Sequence, residues 1–404
     1  MPNKVRADAW DAFHAAKTHD DLTPRLQKLP LPKHVRAQLW DLKHRHTTRK
    51  DSQMGPRETH SGRDGRTLPK DKEPARLRGQ ATGAIGTYIR KNFLHFNAGT
   101  LRDAAEAYAD LIERDGQMVL AMAGALSTGG IGVSLGEMIR QKKIHAISCS
   151  PANMEESVFL LCGEQHAIDI PDYQERTRED DAQLAENQTP RVTDVTISGR
   201  FAMKVVEDAI IPLWKRDQQQ KTRRYPYEYL YELLNSGAME ADYTGEPSEC
   251  WMLEAAKVNL PLYTVGWSDS TLGQVYTALV LKGEIADPTL MKSDIEALTE
   301  FARWYVRTSS DYPVGFLEAG GGASADWSIC AVPMLKEDYG REHTPFWALW
   351  IQCTVGIESV GSYSGASGKE KIGWRKTSPE TPMFSVFGDC TISLPLLFAY
   401  VLGQ

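Results

Sequence analysis

The stretch MVLAMAGALSTGG, Met118–Gly130, decides how this chain folds, together with the helix-spaced run to Lys142 and the segment IHAISCS at Ile144–Ser150. MVLAMAGAL has the unbroken apolar character of a strand buried on both faces, and it enters a loop of small residues. Gly129–Lys142 is helical in its spacing, IHAISCS is a second strand, and Met154–Cys162 continues as a helix. This order predicts an α/β fold, a doubly wound parallel sheet with helices on both faces. Upstream, Leu101–Arg114 has apolar residues at helical spacing. Downstream, Phe201–Gln218 and Tyr227–Leu234 read as long helices, and the polar segment 173–196 reads as an inserted loop. The alternation then resumes with the strand LPLYTVG, helices from Leu272 and over Ser293–Arg307, and the strands VGFLEA, PFWALWIQ and PMFSVF. No repeat of solenoid period interrupts it.

A doubly wound sheet binds ligands beyond the carboxyl ends of its strands, and there the sequence turns to small and polar residues. The loops are AGALSTGG (Ala123–Gly130), SPANMEE (Ser150–Glu156), GWSDSTLG (Gly266–Gly273), GGGA (Gly320–Ala323), GSYSGASGKEKIGWRK (Gly361–Lys376) and GDCT (Gly388–Thr391). Backbone amides in such turns approach phosphates closely. Neither GxGxxG nor GxxxxGK[ST] occurs, so the usual dinucleotide and Walker fingerprints are absent. A single glycine turn after a strand is common. Several along one sheet edge point to a large polar ligand such as a dinucleotide.

With 42% hydrophobic and 25% charged residues over 404 positions, the composition is that of a globular protein, not a disordered or collagenous one. No apolar run reaches the roughly 18 residues of a membrane span, and the opening MPNKVRADAWDAFHAAK has no secretory h-region. Six cysteines, at Cys149, Cys162, Cys250, Cys330, Cys353 and Cys390, show no CxxC pair. A reducing, cytoplasmic setting without a metal site fits this usage. The net charge of −7 is uneven: residues 1–80 carry 18 Lys and Arg against 10 Asp and Glu, a balance of +8, leaving −15 on residues 81–404. Residues 5–18 and 33–45 have amphipathic helical patterns, and 47–80 is polar enough to read as a solvated tether. The chain therefore divides into a basic, partly flexible extension over 1–80 and a catalytic body over 81–404. No aromatic interleaving accompanies the basic charge, so nucleic acid is not indicated as a partner.

Lys376 is the sharpest candidate for chemistry. It follows Trp374 in a glycine-rich segment and does not lie on a charged helix face. A lysine kept dry by aromatic neighbours has its ammonium disfavoured, which lowers its pKa and makes the amine an imine-forming nucleophile. The plainer alternative is a surface lysine, and Arg375 reads as a surface or phosphate-positioning charge.

GSYSGASGKEKIGWRK followed by FGDCTISLPLLFAYVLGQ strongly resembles the carboxyl end of the deoxyhypusine synthase family, in particular its bacterial deoxyhypusine synthase-like branch. The resemblance runs from about His95 to Gln404. Also in order are HFNAGT at His95–Thr100, AGALSTGG, Glu155-Glu156, GWSDSTLG and GGGASADWSICAVPML. It implies a Rossmann-like fold, bound NAD, and a homotetramer with active sites between subunits. It also implies transfer of an aminobutyl-type group from a polyamine through a lysine imine, with Lys376 as the nucleophile. The implied amine-site residues are Trp374 and Glu370. The implied cofactor residues are Ser127, Thr128, Glu155, Glu156, Asp269, Gly321, Gly322, Ser364, Asp389 and Cys390. For Asp269 and Asp389 a helix N-cap role is the competing explanation.

Three departures bear on the substrate. Gln274 and Tyr363 stand where the family has aspartates, and Asp326 where it has a histidine. Lost carboxylates remove partners for ammonium groups. Cys353–Val360 also lacks the family's usual aspartate for NAD, with Glu358 as the nearby substitute. The leading expectation is a homospermidine synthase-like transferase whose acceptor is a small amine. The alternatives are a true deoxyhypusine synthase acting on a protein lysine, and a non-catalytic member that binds NAD or amines. Residues 5–45 are expected to pack on a neighbouring subunit near an active-site mouth, drawn by the acidic body.

Overall fold

The computed structural model describes residues 83–358 and 361–404. The expected helices over 5–18 and 33–45, their docking, and the tether over 47–80 lie outside the described residues. In chain order the helices of six residues or more and the strands are α1 Ala84–Asn92, α2 Phe96–Glu113, β1 Gln117–Met122, α3 Gly132–Arg140, β2 Ala146–Cys149, α4 Pro151–Gly163, α5 Arg178–Glu186, β3 Arg191–Val192, β4 Val195–Thr196, α6 Lys204–Gln220, α7 Pro226–Ser236, α8 Trp251–Lys257, β5 Leu262–Thr264, α9 Thr271–Leu281, α10 Asp294–Ser309, β6 Val314–Ala319, β7 Leu349–Thr354, β8 Met383–Phe387 and α13 Cys390–Val401, with α11 Gly322–Ile329 after β6 and α12 Gly368–Gly373 after β7.

Six strands form one sheet in the order β5-β2-β1-β6-β7-β8, every neighbouring pair parallel. This is the Rossmann-like α/β architecture. All six expected strands are present, and all of β1 beyond its first residue is buried. Alternate residues feed two cores: Met118, Leu120 and Met122 join one, Val119 and Ala121 the other. Both faces are therefore covered, which is why these strands read as continuous apolar runs. From β1 the chain steps outward to β2 and β5. From β6 it steps the other way to β7 and β8. The strand order thus reverses between β1 and β6, and the crevice at that switch point lies between the loop after β1 and Gly320–Gly322.

Two expectations are corrected. Segment 173–196 is not a featureless loop. It holds α5 and the β3–β4 hairpin. A capping box between Thr177 and Asp180 starts the helix, and Arg191 ties the hairpin to it through Asp181 at 2.6 Å. The helix expected from Leu101 begins at Phe96, so HFNAGT is its first turn. There Asn97 brackets the edge strand: its amide donates to the Phe387 carbonyl at 2.7 Å, and the Phe387 N–H donates back to Oδ1 at 2.6 Å. Among the described residues no helix is long and apolar enough to cross a membrane.

Candidate functional site

Register places the first charged group. Glu318 on β6 lies beside Gln352 on β7, two register positions beyond Phe316 and Trp350, so all four are on the same face of the sheet. Glu318 is wholly buried. It accepts hydrogen bonds from Trp350 Nε1 and Gln352 Nε2, both at 3.0 Å, and from the Tyr363 hydroxyl at 2.8 Å. Burial raises its pKa, opposed by Lys371, these hydrogen bonds and Lys376.

Beyond β6 the chain turns through Gly320, Gly321 and Gly322, all at positive φ. Gly321, at φ 144°, could not carry a side chain: a β-carbon there would stand 2.7 Å from Ser364 Cβ. This close approach brings the Ser362–Gly365 turn against the start of α11. Ser324 fixes α11 over the sheet by donating to the Met122 carbonyl at 2.9 Å and accepting at its own carbonyl from Ser148 at 2.8 Å. One turn on is Asp326, and at the helix end Cys330, whose Sγ lies 3.5 Å from Asp326 Oδ1.

Helix α12 delivers the lysines. It sits close on β7 and β8, since a β-carbon at Gly368 would meet Met383 Sδ at 2.9 Å and Trp350 at 3.1 Å. After Gly373 the chain reverses through Arg375 at positive φ, and the Lys376 N–H closes on the Lys371 carbonyl at 3.0 Å. Lys376 is buried, with Nζ 2.7 Å from Asp326 Oδ1 and 4.9 Å from the Tyr363 ring centroid. Arg375 pairs on the surface with Glu337.

The electrostatics correct one expectation. Burial disfavours the Lys376 ammonium, but the Asp326 carboxylate and Cys330 outweigh it, and the pKa lies above the ordinary lysine value. The resting group is an ion-paired ammonium. Lys371 is 1% exposed, and its pKa is lowered first by burial and then by Lys376, against the pull of Glu318. Sequence reasoning missed Lys371, Glu318, Gln352 and Cys330. Two of them had a signal: Glu318 and Gln352 are polar residues inside apolar strands, and such residues are seldom buried without a role.

The remaining expected residues divide by where the fold places them. Ser127 is buried and spent on structure: its N–H donates to Asn153 Oδ1 at 3.0 Å, its hydroxyl donates to the Asn153 carbonyl at 2.6 Å, and that oxygen accepts from Trp251 Nε1 at 2.8 Å. Glu155 accepts the N–H groups of Thr271 and Leu272 at 2.7 and 2.8 Å, capping α9 from outside, and burial pushes its pKa up to about 7. Glu156 accepts from the Thr128 hydroxyl at 2.7 Å and is raised by burial. Asp389 caps α13 by accepting from the Thr391 N–H at 2.8 Å, whereas α9 is capped by Ser270 and not by Asp269, which is exposed. Cys390 Sγ donates to the Cys353 carbonyl at 3.2 Å. Ser364 shares a 2.7 Å hydrogen bond with Ser362. Gln274, Glu358, Glu370 and Trp374 are exposed, Trp374 by 66%.

The deoxyhypusine synthase family model matches residues 90–401. A deoxyhypusine synthase-like protein of Thermosynechococcus vestitus is 26% identical over 322 residues, 78% of each chain. One from Nostoc sp. is 28% identical over 323 residues, covering 78% of this chain and 80% of its own. A protein of Archaeoglobus fulgidus named "Probable deoxyhypusine synthase 1" is 24% identical over 309 residues, 76% of this chain and 90% of its own. The matched span takes in the whole parallel sheet, every loop at its carboxyl edge and the segment bearing both lysines, and the chain belongs to the deoxyhypusine synthase family.

Proposed function

We propose that the protein is an NAD-dependent transferase that moves an aminoalkyl group from a polyamine donor to a small amine acceptor through an imine on Lys376. The observation that carries this reading is a buried lysine, 2.7 Å from a carboxylate and against an aromatic ring, at the carboxyl edge of the sheet. The family match supports the reaction class.

The crevice suits a dinucleotide. A β-carbon at Gly124, Gly130 or Gly388 would meet nothing within 4 Å, so the backbone is open on that side. Thr128, Glu156, Gly321, Gly322 and Ser364 would hold NAD, while Ser127 and Glu155 set the loop and the helix behind them. When bound, NAD supplies the oxidant that takes a hydride from the carbon bearing the donor nitrogen and later returns it. The protein's own part begins with a proton. Lys376 Nζ passes one to Asp326 Oδ1, its hydrogen-bond partner, and the freed amine attacks the donor's C=N carbon. The Nζ–C bond forms, the C–N bond from that carbon to the donor nitrogen breaks, and that nitrogen departs as an amine with the proton. The acceptor amine then reverses these steps and releases Lys376. Tyr363 and Trp350 wall off the inner side and exclude water that would hydrolyse the imine.

The departures from the family pattern favour a small acceptor: Gln274 and Tyr363 supply no carboxylate, and Asp326 is already engaged with Lys376. We extend the reading to a homotetramer. Val355, Phe387 and Ile392, all more than half exposed at the carboxyl ends of β7 and β8, form the kind of apolar surface that association covers. The test is to incubate the protein with NAD and a panel of labelled polyamines, reduce with borohydride and map the label by mass spectrometry. The aminoalkyl mass is expected on Lys376. Label on another lysine, or no NADH with any amine, overturns the reading.

A further inference from the structure

We propose that Lys371 is an internal ammonium filling a cation pocket beside Lys376, and that it bars the terminal cation of the transferred aminoalkyl group from the Glu318 side and turns that cation toward solvent. This deepens the reading above and takes the reaction at Lys376 from it.

The pocket is built without Lys371. Its floor is Glu318, whose carboxylate accepts only from neutral donors, Trp350, Gln352 and Tyr363. Its walls are the rings of Tyr363 and Trp350. The carboxylate is held at the edges of two rings whose faces meet the cation, and a carboxylate with aromatic faces is the set that recognises an alkylammonium. Lys371 enters this space from α12, its Nζ 3.5 Å from the Tyr363 centroid and 5.6 Å from that of Trp350. Among the described residues Nζ has no hydrogen-bond acceptor. A buried ammonium normally demands one, so the position depends on the rings and on the field of Glu318.

Lys376 faces the same Tyr363 ring, 4.9 Å from its centroid. An amine reacting at Lys376 Nζ therefore meets a fixed positive charge on the sheet side. On the other side it meets Asp326, whose side chain is about half exposed. Like charges in a dry site repel strongly. The substrate is thus oriented with any cationic end toward solvent, and with a neutral alkyl segment toward β6 and β7.

Calorimetric titration of the full-length protein with 1-aminobutane and with 1,4-diaminobutane tests this. The wild type should bind the two with similar affinity. Lys371→Met keeps the volume, vacates the ammonium position and should favour the diamine by about tenfold, the worth of one charge-assisted contact. Adding Glu318→Gln should abolish that gain. A diamine-to-monoamine ratio in Lys371→Met equal to that of the wild type overturns the inference. Lys371→Ala gives a second measurement that does not depend on amine turnover. Its unfolding temperature should rise with ethylammonium chloride beyond the rise given by equal sodium chloride, and an equal response overturns the inference. Trapping at Lys376 with unchanged selectivity in Lys371→Met removes only this inference. Failed trapping with the selectivity switch intact removes only the transfer reading.

Discussion

The two halves of the sheet present similar residue types at their carboxyl edge and use them in opposite ways. On the β5-β2-β1 side the polar groups that follow β1 and β2 are matched to partners. Ser127 is held by Asn153 and Trp251, and Glu155 is matched to two backbone N–H groups. On the β6-β7-β8 side they are held in reserve. Lys376 has one carboxylate partner, and Lys371 has no acceptor among the described residues. Satisfied buried polar groups fix a scaffold, whereas unbalanced ones mark the place where charge must move. On the proposed function, the first side positions a ligand and the second carries the chemistry.

Substitution of one residue from each side should separate the two roles. Lys376→Ala removes the amine paired to Asp326 and should cut transfer by about a thousandfold or more. Its unfolding midpoint should barely move, because the stranded carboxylate is half exposed and can be hydrated. Glu155→Ala should do the reverse, stripping two N–H partners from the start of α9 at a cost of about 2–4 kcal/mol. Urea unfolding reports the second effect and borohydride trapping the first. Equal stability losses in the two variants would erase the distinction between the halves.

The sheet was legible because both its faces are buried, so each strand appears as an apolar run with a small-residue loop after it. The hairpin at Arg191–Thr196 was not, since its two-residue strands are too short to show a period and depend on the Arg191–Asp181 ion pair. Lys376 was legible from its motif, but its protonation was not. An aromatic neighbour at Trp374 suggested a dry amine, whereas Trp374 is exposed and the deciding neighbour, Asp326, lies fifty residues earlier. Glu318, Gln352 and Lys371 meet only through strand register and the placement of α12, so no local spacing announces them.

The pH dependence of folding should arise on the scaffold side. His145 accepts a hydrogen bond at Nδ1 from the Met118 N–H at 3.0 Å, which requires the neutral ring. Burial, aided by Lys143, lowers its pKa from 6.5 to about 4. Between those values the unfolded chain binds the proton more readily than the folded one. The stabilisation is therefore complete above pH 6.5 and is lost as pH falls toward 4. After allowance for partial solvent screening it amounts to about 2 kcal/mol. His145→Gln should remove this contribution and leave the opposing one of Glu155, raised to about 7, and an unchanged slope would place the acid sensitivity elsewhere.

The smallest expected effect lies where the scaffold side touches the crevice. Thr128→Val keeps the shape of the side chain and removes the hydroxyl that donates to Glu156 at 2.7 Å, for a stability loss of about 1 kcal/mol. The loss also takes away one of the two Thr128 hydrogen bonds that oppose the burial of Glu156, so the carboxyl protonates more readily. A ribose hydroxyl donating to that carboxyl would then lose a charged acceptor, and NAD affinity should fall by about three- to tenfold. Ser127→Ala is the control one residue away. It strands Trp251 Nε1 and unties Asn153, so stability should fall while NAD affinity in the protein that remains folded stays near that of the wild type. If both variants lose stability without loss of NAD affinity, Thr128 and Glu156 join Ser127 and Glu155 as scaffold, and NAD has to be held by the loops after β6 and β8.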